Sequence, residues 1–312
     1  MARQRPFLTA LAAGVLATLA ALPVHARCEG VAPEQRMQNT PREFVGQTLD
    51  EILDRGSLTI AVYEDFPPYS WLEGETPKGV DVELGRILAQ GLGVEPEFRF
   101  VQAGETIQTD LMANVWRGGV QKEPVANVML RVPYNSDLTC KIDQVVFTGQ
   151  YADEQIAIAY RAEAYPDAVA NPQGGRDEGG PVPAFFRFDP VAVENDSIAD
   201  FYLTSFPGGD IGPMIRRHRT MAEGMAALAA GETMAAMGPQ AQLEFGAVQG
   251  VRVHEPPLAG FALGRWTLGL AVHTSHRDLA YALDDAVTAA LADGRIAAAY
   301  AQYGLTFLPP KR

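Results

Sequence analysis

The chain has 312 residues, 47% hydrophobic and 20% charged. This near-average globular composition excludes wholesale disorder, collagen-like repeats and a disulfide-dense mini-protein. Its 25 Lys and Arg face 38 Asp and Glu, a net charge of −13, which argues against a nucleic-acid binder and against docking on an anionic membrane surface.

The first residues read as a targeting segment. Arg3 and Arg5 precede an apolar stretch, Phe7 to Val24, which ends at Val24-His25-Ala26, a small-x-small cleavage pattern. Residues 1–26 are therefore expected to be a cleaved signal peptide. No second run is long enough to span a bilayer, so no membrane insertion is expected after cleavage. The residue before Cys28 is Arg27, where lipid attachment needs a small residue. Removing Arg3 and Arg5 leaves 23 basic and 38 acidic residues, a net charge of −15. Cys28 and Cys140 are the only cysteines. In an oxidising compartment they are expected to pair; two unpaired thiols are the alternative.

Residues 27–45 are polar and read as a leader. A short amphipathic piece, Leu49 to Leu53, opens the fold. Ser57–Tyr63 is apolar and β-branched and reads as a buried strand. A turn-rich segment runs from Glu64 to Pro77. A helix follows over Val80–Leu92, closed by Gly91 or Gly93. Then come a strand at Glu97–Val101, a helix at Thr106–Trp116 and a strand at Asn127–Val132. Two more strands are read at Gln144–Thr148 and Gln155–Tyr160. The Gly- and Pro-rich stretch 171–183 breaks the pattern as a loop or linker.

A second unit begins with a strand at Pro190–Glu194 and a helix started by Asn195-Asp196-Ser197. Thr220 and Glu223 form a capping-box pattern for a helix ending at Ala230, with Gly231 as its cap. Strands are read at Thr233–Met237, Val251–His254 and Trp266–His273. Ser275 to Asp278 is a second capping-box pattern. The final helices carry an apolar stripe through Leu279, Leu283, Val287 and Leu291. Alternating strands and helices predict a parallel α/β sheet, with the chain in two α/β lobes. Lobe I is expected over residues 46–159 and 265–312, with lobe II inserted at 160–264.

At this level the chain resembles the type II periplasmic solute-binding proteins, in the branch of the polar amino acid receptors. Five segments carry the resemblance: Gly56–Val62 with Phe66-Pro67-Pro68-Tyr69; Lys78–Leu84 leading to Leu92-Gly93-Val94; Val146–Tyr151; Val191–Ser197; and Leu291–Ile296 with Tyr300, Tyr303 and Gly304. The resemblance implies a two-lobed clamp with mixed sheets, flanking helices and two hinge crossings. It also implies a small-molecule solute held between the lobes, an ABC permease as partner, a periplasmic location and no cofactor. A monomer is expected.

The candidate ligand residues are Asp65, Phe66, Tyr69 and Trp71 after the first strand, and Arg131 and Tyr134 at the end of the third. In the second lobe they are Asn195, Asp196 and Ser197 at a helix start, and Gln240. Helix starts offer free amides and a positive dipole end. Aromatics can cover an apolar part of the ligand, and Asp65 suits a cationic group. Each has a plainer role as well: capping for Asn195, Asp196 and Ser197, core packing for one of the aromatics, a rim salt bridge for Arg131. The chain departs from the amino acid receptors in lacking their Thr-x-x-Arg segment, where the Arg grips a carboxylate with two donors. Lys141 falls nearest that position and reads as solvent-exposed. Met237-Gly238-Pro239 stands where many such receptors have an Asp.

The expected function is capture of a small polar or anionic solute, amino-acid-like or an organic acid, for an ABC importer. One alternative is a periplasmic accessory protein of a quinoprotein alcohol dehydrogenase, whose partner would be that dehydrogenase. A minor one is a cleft dehydratase with Glu194 as general acid. No nucleophile elbow, phosphate loop or HExxH motif is present, and His273 and His276 make a poor metal pair. The chain is expected to be no enzyme and to hold no metal.

Overall fold

The computed structural model describes residues 46–118, 124–134, 136–166, 180–209, 211–258 and 261–311. The expected signal peptide, the leader, Cys28 and most of the 171–183 loop lie outside these residues.

The chain enters through α1 (Leu49–Arg55), started by a capping box in which Thr48 and Glu51 satisfy each other's amides. It continues as β1 (Ser57–Tyr63), a hairpin of β2 (Trp71–Glu73) and β3 (Thr76–Lys78), α2 (Val80–Leu92) and β4 (Glu95–Val101). The 64–77 segment thus holds a small hairpin, and Gly93 rather than Gly91 closes α2. The helix expected at 106–116 splits into α3 (Ile107–Leu111) and a wider π turn at Met112–Trp116. Next come β5 (Val128–Pro133) and α4 (Ser136–Lys141).

The two strands expected at 144–148 and 155–160 are one strand, β6, running 17 residues from Val145 to Arg161. Its middle, Asp153-Glu154-Gln155, is polar, so a periodicity reading sees an interruption. These three residues are almost fully buried and stay in the ladder, because their side chains find partners and their amides remain paired.

The second unit holds β7 (Val191–Glu194), α5 (Ile198–Thr204), β8 (Ile215–His218), α6 (Met221–Ala230), β9 (Ala235–Pro239), α7 (Gln240–Gly246) and β10 (Val251–His254). The return strand is β11 (Arg265–His273), followed by α8 (Arg277–Ala292) and α9 (Arg295–Gln302). Gly231 caps α6 in the left-handed conformation, φ 79°. The Thr220 hydroxyl accepts the Glu223 amide as expected, but the Glu223 carboxylate takes the Arg219 amide rather than closing a box. The second expected box does not form either: α8 starts after His276, and the Asp278 carboxylate accepts the Leu49 amide.

The strands form a mixed sheet in the order β4-β1-β5-β11-β6-β9-β7-β8, with β10 on the other edge of β6. β4, β1 and β5 are mutually parallel, as are β9, β7 and β8. β6 links the two sets. It pairs with β11 over Val145–Gln155 and with β9 over Ile156–Tyr160, so its neighbour changes between Gln155 and Ile156. One half of the sheet packs α2, α8 and α9 over a core with Leu58, Ile60, Leu84, Leu88, Leu283 and Val287. The other half has its own cores, one around Ile158, Phe186, Val193 and Leu203 and one around Met221, Met225 and Leu243.

Candidate ligand site

The ladder fixes where the strand ends meet. Pro133, the last residue of β5, pairs with Leu268, which pairs with Ala152 of β6. Pro239, the last residue of β9, pairs with Ile156. The carboxyl ends of both parallel sets therefore converge on residues 152–156 of β6. In open α/β sheets a ligand crevice lies outside such ends.

Around this junction sits a buried polar cluster. Arg131 on β5 gives two donors to Asp81 in the first turn of α2, Nε to Oδ2 at 2.6 Å and Nη2 to Oδ1 at 3.0 Å. The side chains are 8% and 1% exposed. The guanidinium lies 3.4 Å from the centre of the Tyr69 ring, a cation–π contact strengthened by desolvation. The Tyr69 hydroxyl donates to Glu154 Oε2 at 2.7 Å, and the Tyr151 hydroxyl to Asp81 Oδ1 at 3.4 Å. Tyr300 on α9 is buried beside the same guanidinium.

Local sequence builds this cluster. Arg131 has φ 57°, the left-handed region, which turns its side chain out of the strand alternation and toward α2. Such a backbone costs about 1–3 kcal/mol and persists only where its surroundings hold it. Gly79 precedes α2 at φ 117°, and a Cβ there would sit 2.1 Å from the Tyr69 carbonyl oxygen. Only glycine lets α2 start this close to the Tyr69 turn, which brings Asp81 under Arg131.

The electrostatics follow from burial. Desolvation, the largest single influence, would lower the Arg131 pKa, but Asp81 together with Tyr151, Tyr69 and Tyr300 outweighs it and the net direction is up. Burial raises Glu154 above the usual carboxylate range, against the opposing pull of Arg131, the Tyr69 hydroxyl and the amides of Gln155 and Ala241. Desolvation also raises Tyr69 and Tyr151. With Asp81 and Arg131 neutralising each other, Glu154 is left as the carboxylate without a cation of its own.

The expected ligand residues separate into three places. Phe66, Tyr69 and Arg131 come together: the Phe66 and Tyr69 rings are 4.9 Å apart, and Tyr63 meets Phe66 edge-on at 6.1 Å. Asp65 beside them is exposed, at φ 46°. Tyr134 follows β5; its amide donates to the Thr267 carbonyl, and its ring lies against Gly269. Trp71 departs from this group and packs between Phe245 of α7 and Tyr303, at 5.7 and 5.6 Å. In the second half, Ser197 caps α5 by accepting the Asp200 amide, and Asn195 donates to Asp196 at 2.6 Å. Asn195 and Asp196 are exposed at the end of β7, with Asp196 at φ 57°. Gln240 is held from both sides: it accepts from Gln155 and donates to Glu244, each at 2.6 Å. Glu194 accepts the Met221 amide at the start of α6, and burial raises its pKa. Cys140 is buried in α4.

Sequence reasoning passed over Asp81, Tyr151, Glu154 and Tyr300. Two signals were present: an Asp between Val80 and Val82 on the buried face of a helix, and an acidic dipeptide in mid-strand. Among the described residues no group of three or more His, Cys, Asp or Glu could hold a metal ion. No helix among them is long and apolar enough to cross a membrane.

The profile of the bacterial extracellular solute-binding proteins, family 3, matches residues 58–115, the segment from β1 through the π turn. Solved structures match over most of the chain. An ancestral cationic amino acid solute-binding protein superposes with a TM-score of 0.63 at 20% identity, covering 82% of this chain and 98% of its own. The chain has the type II periplasmic binding protein fold. A Streptococcus pneumoniae amino acid ABC transporter substrate-binding protein bound to L-arginine gives a TM-score of 0.56 at 16% identity, covering 84% of this chain and 100% of its own. A Neisseria gonorrhoeae solute receptor for L-cysteine gives 0.54 at 19%, covering 83% and 94%. No curated protein sequence matches the chain. β6 crosses from one half of the sheet to the other, and the chain returns to the first half at β11.

Proposed function

We propose that this chain is a periplasmic receptor that captures a small polar solute between two lobes and delivers it to an ABC importer. The observation that carries this reading is the convergence of both sets of strand ends on residues 152–156 of β6. Lobe I is taken as residues 46–155 with 265–311, and lobe II as 156–264, since the partner of β6 changes after Gln155. Export through a cleaved signal peptide, and a Cys28–Cys140 disulfide tying the mature N-terminus to α4, belong to the same reading.

The crevice walls are assigned to the residues that follow the carboxyl ends of β1, β5 and β7, outside the buried cluster. On lobe I these are Asp65, Phe66 and Tyr134; on lobe II, Asn195, Asp196 and Ser197. Tyr69, Arg131 and Gln240 support the floor instead. Two of the five Arg131 N–H donors are committed to Asp81 and the side chain is only 8% exposed, so Arg131 is assigned to the floor and not to the grip on a ligand carboxylate. Exposed Asp65 and Asp196 at the rims suit a cationic group, so an amino-acid-like solute fits better than a simple organic acid. Binding works by population shift: solute contacts made by both lobes at once favour the closed arrangement.

The test is a thermal-shift screen of the mature protein against amino acids, polyamines, organic acids and polyols, followed by calorimetry. A solute that binds only the native state raises the melting temperature by mass action. The expected result is a shift with an ammonium-bearing solute that Asp65→Asn or Asp196→Asn diminishes. Absence of any shift or heat across the set would remove the receptor reading.

A further inference from the structure

The chain does not end at its last helix. After α9, Gly304 at φ 72° turns the backbone, and Leu305 is buried against the α2–α8–α9 core. The next residues then bond to both halves of the sheet. The Thr306 amide donates to Glu244 Oε2 on α7 at 2.7 Å, and the Leu308 carbonyl accepts the Asp153 amide of β6 at 2.8 Å. Phe307 packs on Tyr300 at 5.3 Å.

These bonds close a ring. Gln155 of β6 donates to Gln240, Gln240 donates to Glu244, Glu244 accepts from Thr306, and two residues later Leu308 holds Asp153. The ring encloses the point where β6 changes partner. Beside it, Phe245 of α7 meets Trp71, which also touches Tyr303 just before the turn. Rotation of one sheet half against the other at Gln155 must break a member of this ring or carry the C-terminal segment along.

We propose that residues 304–311 are a strap that restrains the angle between the lobes and so sets the balance between open and closed forms. This rests on the receptor reading only for the motion's purpose; the restraint itself follows from the bonds. A ligand's apparent affinity depends on the fraction of protein already in the competent form. A strap that fixes that fraction therefore tunes affinity without touching the solute.

The test reads distances in solute-free protein, so its failure is separable from failure of the solute screen. Spin labels are placed at exposed Ala226 on α6 and Ala289 on α8 by a chemistry that spares Cys28 and Cys140. Pulsed dipolar spectroscopy compares the unaltered chain, a chain truncated after Leu305, and Glu244→Ala, with Arg219→Ala as a control away from the ring. The expected result is a narrow distribution for the unaltered chain and the control. The truncation and Glu244→Ala should give a shifted or broader one, with circular dichroism unchanged. If the truncated chain does not fold, Glu244→Ala alone decides. The unaltered distribution retained by every folded variant would overturn the strap.

Discussion

The two halves of the sheet each contain an arginine near the end of a strand, paired with an aspartate in the first turn of a helix. In one half Arg131 of β5 meets Asp81 of α2; in the other Arg217 of β8 meets Asp200 of α5. The chemistry is the same and the surroundings differ. The first pair is 8% and 1% exposed; in the second Asp200 is 7% exposed but Arg217 is 40% exposed. Asp200 also keeps the Asp196 amide and the Thr204 hydroxyl. A buried pair is costly to break because the survivor stays charged in a low-dielectric site; buried Asp200 would keep the Asp196 amide and the Thr204 hydroxyl, and the exposed Arg217 side gives water a way to the place it leaves. The comparison teaches that burial, more than the identity of the pair, decides which arginine is structural.

The largest effect is expected where the buried pair is broken. Arg131→Met should cost about 3–5 kcal/mol in urea unfolding, because Asp81 is left unpaired beside the Tyr151 hydroxyl. A loss below about 1 kcal/mol, the range of exposed pairs, would show that water reaches Asp81.

A smaller effect should come from Thr48→Ala, which removes the capping box of α1 at a cost of about 1 kcal/mol. Arg217→Met should cost no more than about 1 kcal/mol. If it matched Arg131→Met, the contrast between the two halves would fail.

Two pH trends sharpen the comparison further. The Glu154 pKa is raised by burial, so its contribution to stability is full below the unfolded value and is lost as pH rises through the folded one. Glu154→Gln does not titrate. Its melting temperature should therefore gain on that of the unaltered chain as pH rises from about 4 toward 8, around the ordinary carboxylate range. Asp200 behaves oppositely. Desolvation pushes it up, but Arg217, the Asp196 amide and Thr204 outweigh that and the net pKa is lowered. Its contribution is present above the unfolded value and lost as pH falls through the folded one. Asp200→Asn should therefore narrow its stability deficit in acid, the smallest effect of the set.

Much of the fold is legible in the sequence. Ser57–Tyr63 reads as a strand because an unbroken apolar run suits a strand covered on both faces, and Val80–Leu92 as a helix because its apolar set recurs at helical spacing. Both form as expected. The site was less legible. Arg131 stands out in the sequence as a charge inside an apolar strand and reads as a ligand residue or a rim salt bridge, but the partner that absorbs it lies 50 residues away on α2. Trp71 lies close to Tyr69 in sequence, yet the hairpin carries it to Phe245 and Tyr303. Neither placement follows from local spacing.

The sequence by itself determined the alternation of strands and helices, the caps at Ser197 and Gly231, and the acidic character of the chain. These depend on nearest neighbours, on periodicity and on composition, all local or global averages. Only the tertiary structure decided that β6 is a single strand through a buried acidic dipeptide, that Arg131 belongs to Asp81, and that the C-terminal segment returns to bond both halves. Each of those depends on which distant groups desolvate one another. A buried charge or amide is tolerated only where the fold has already delivered its partner.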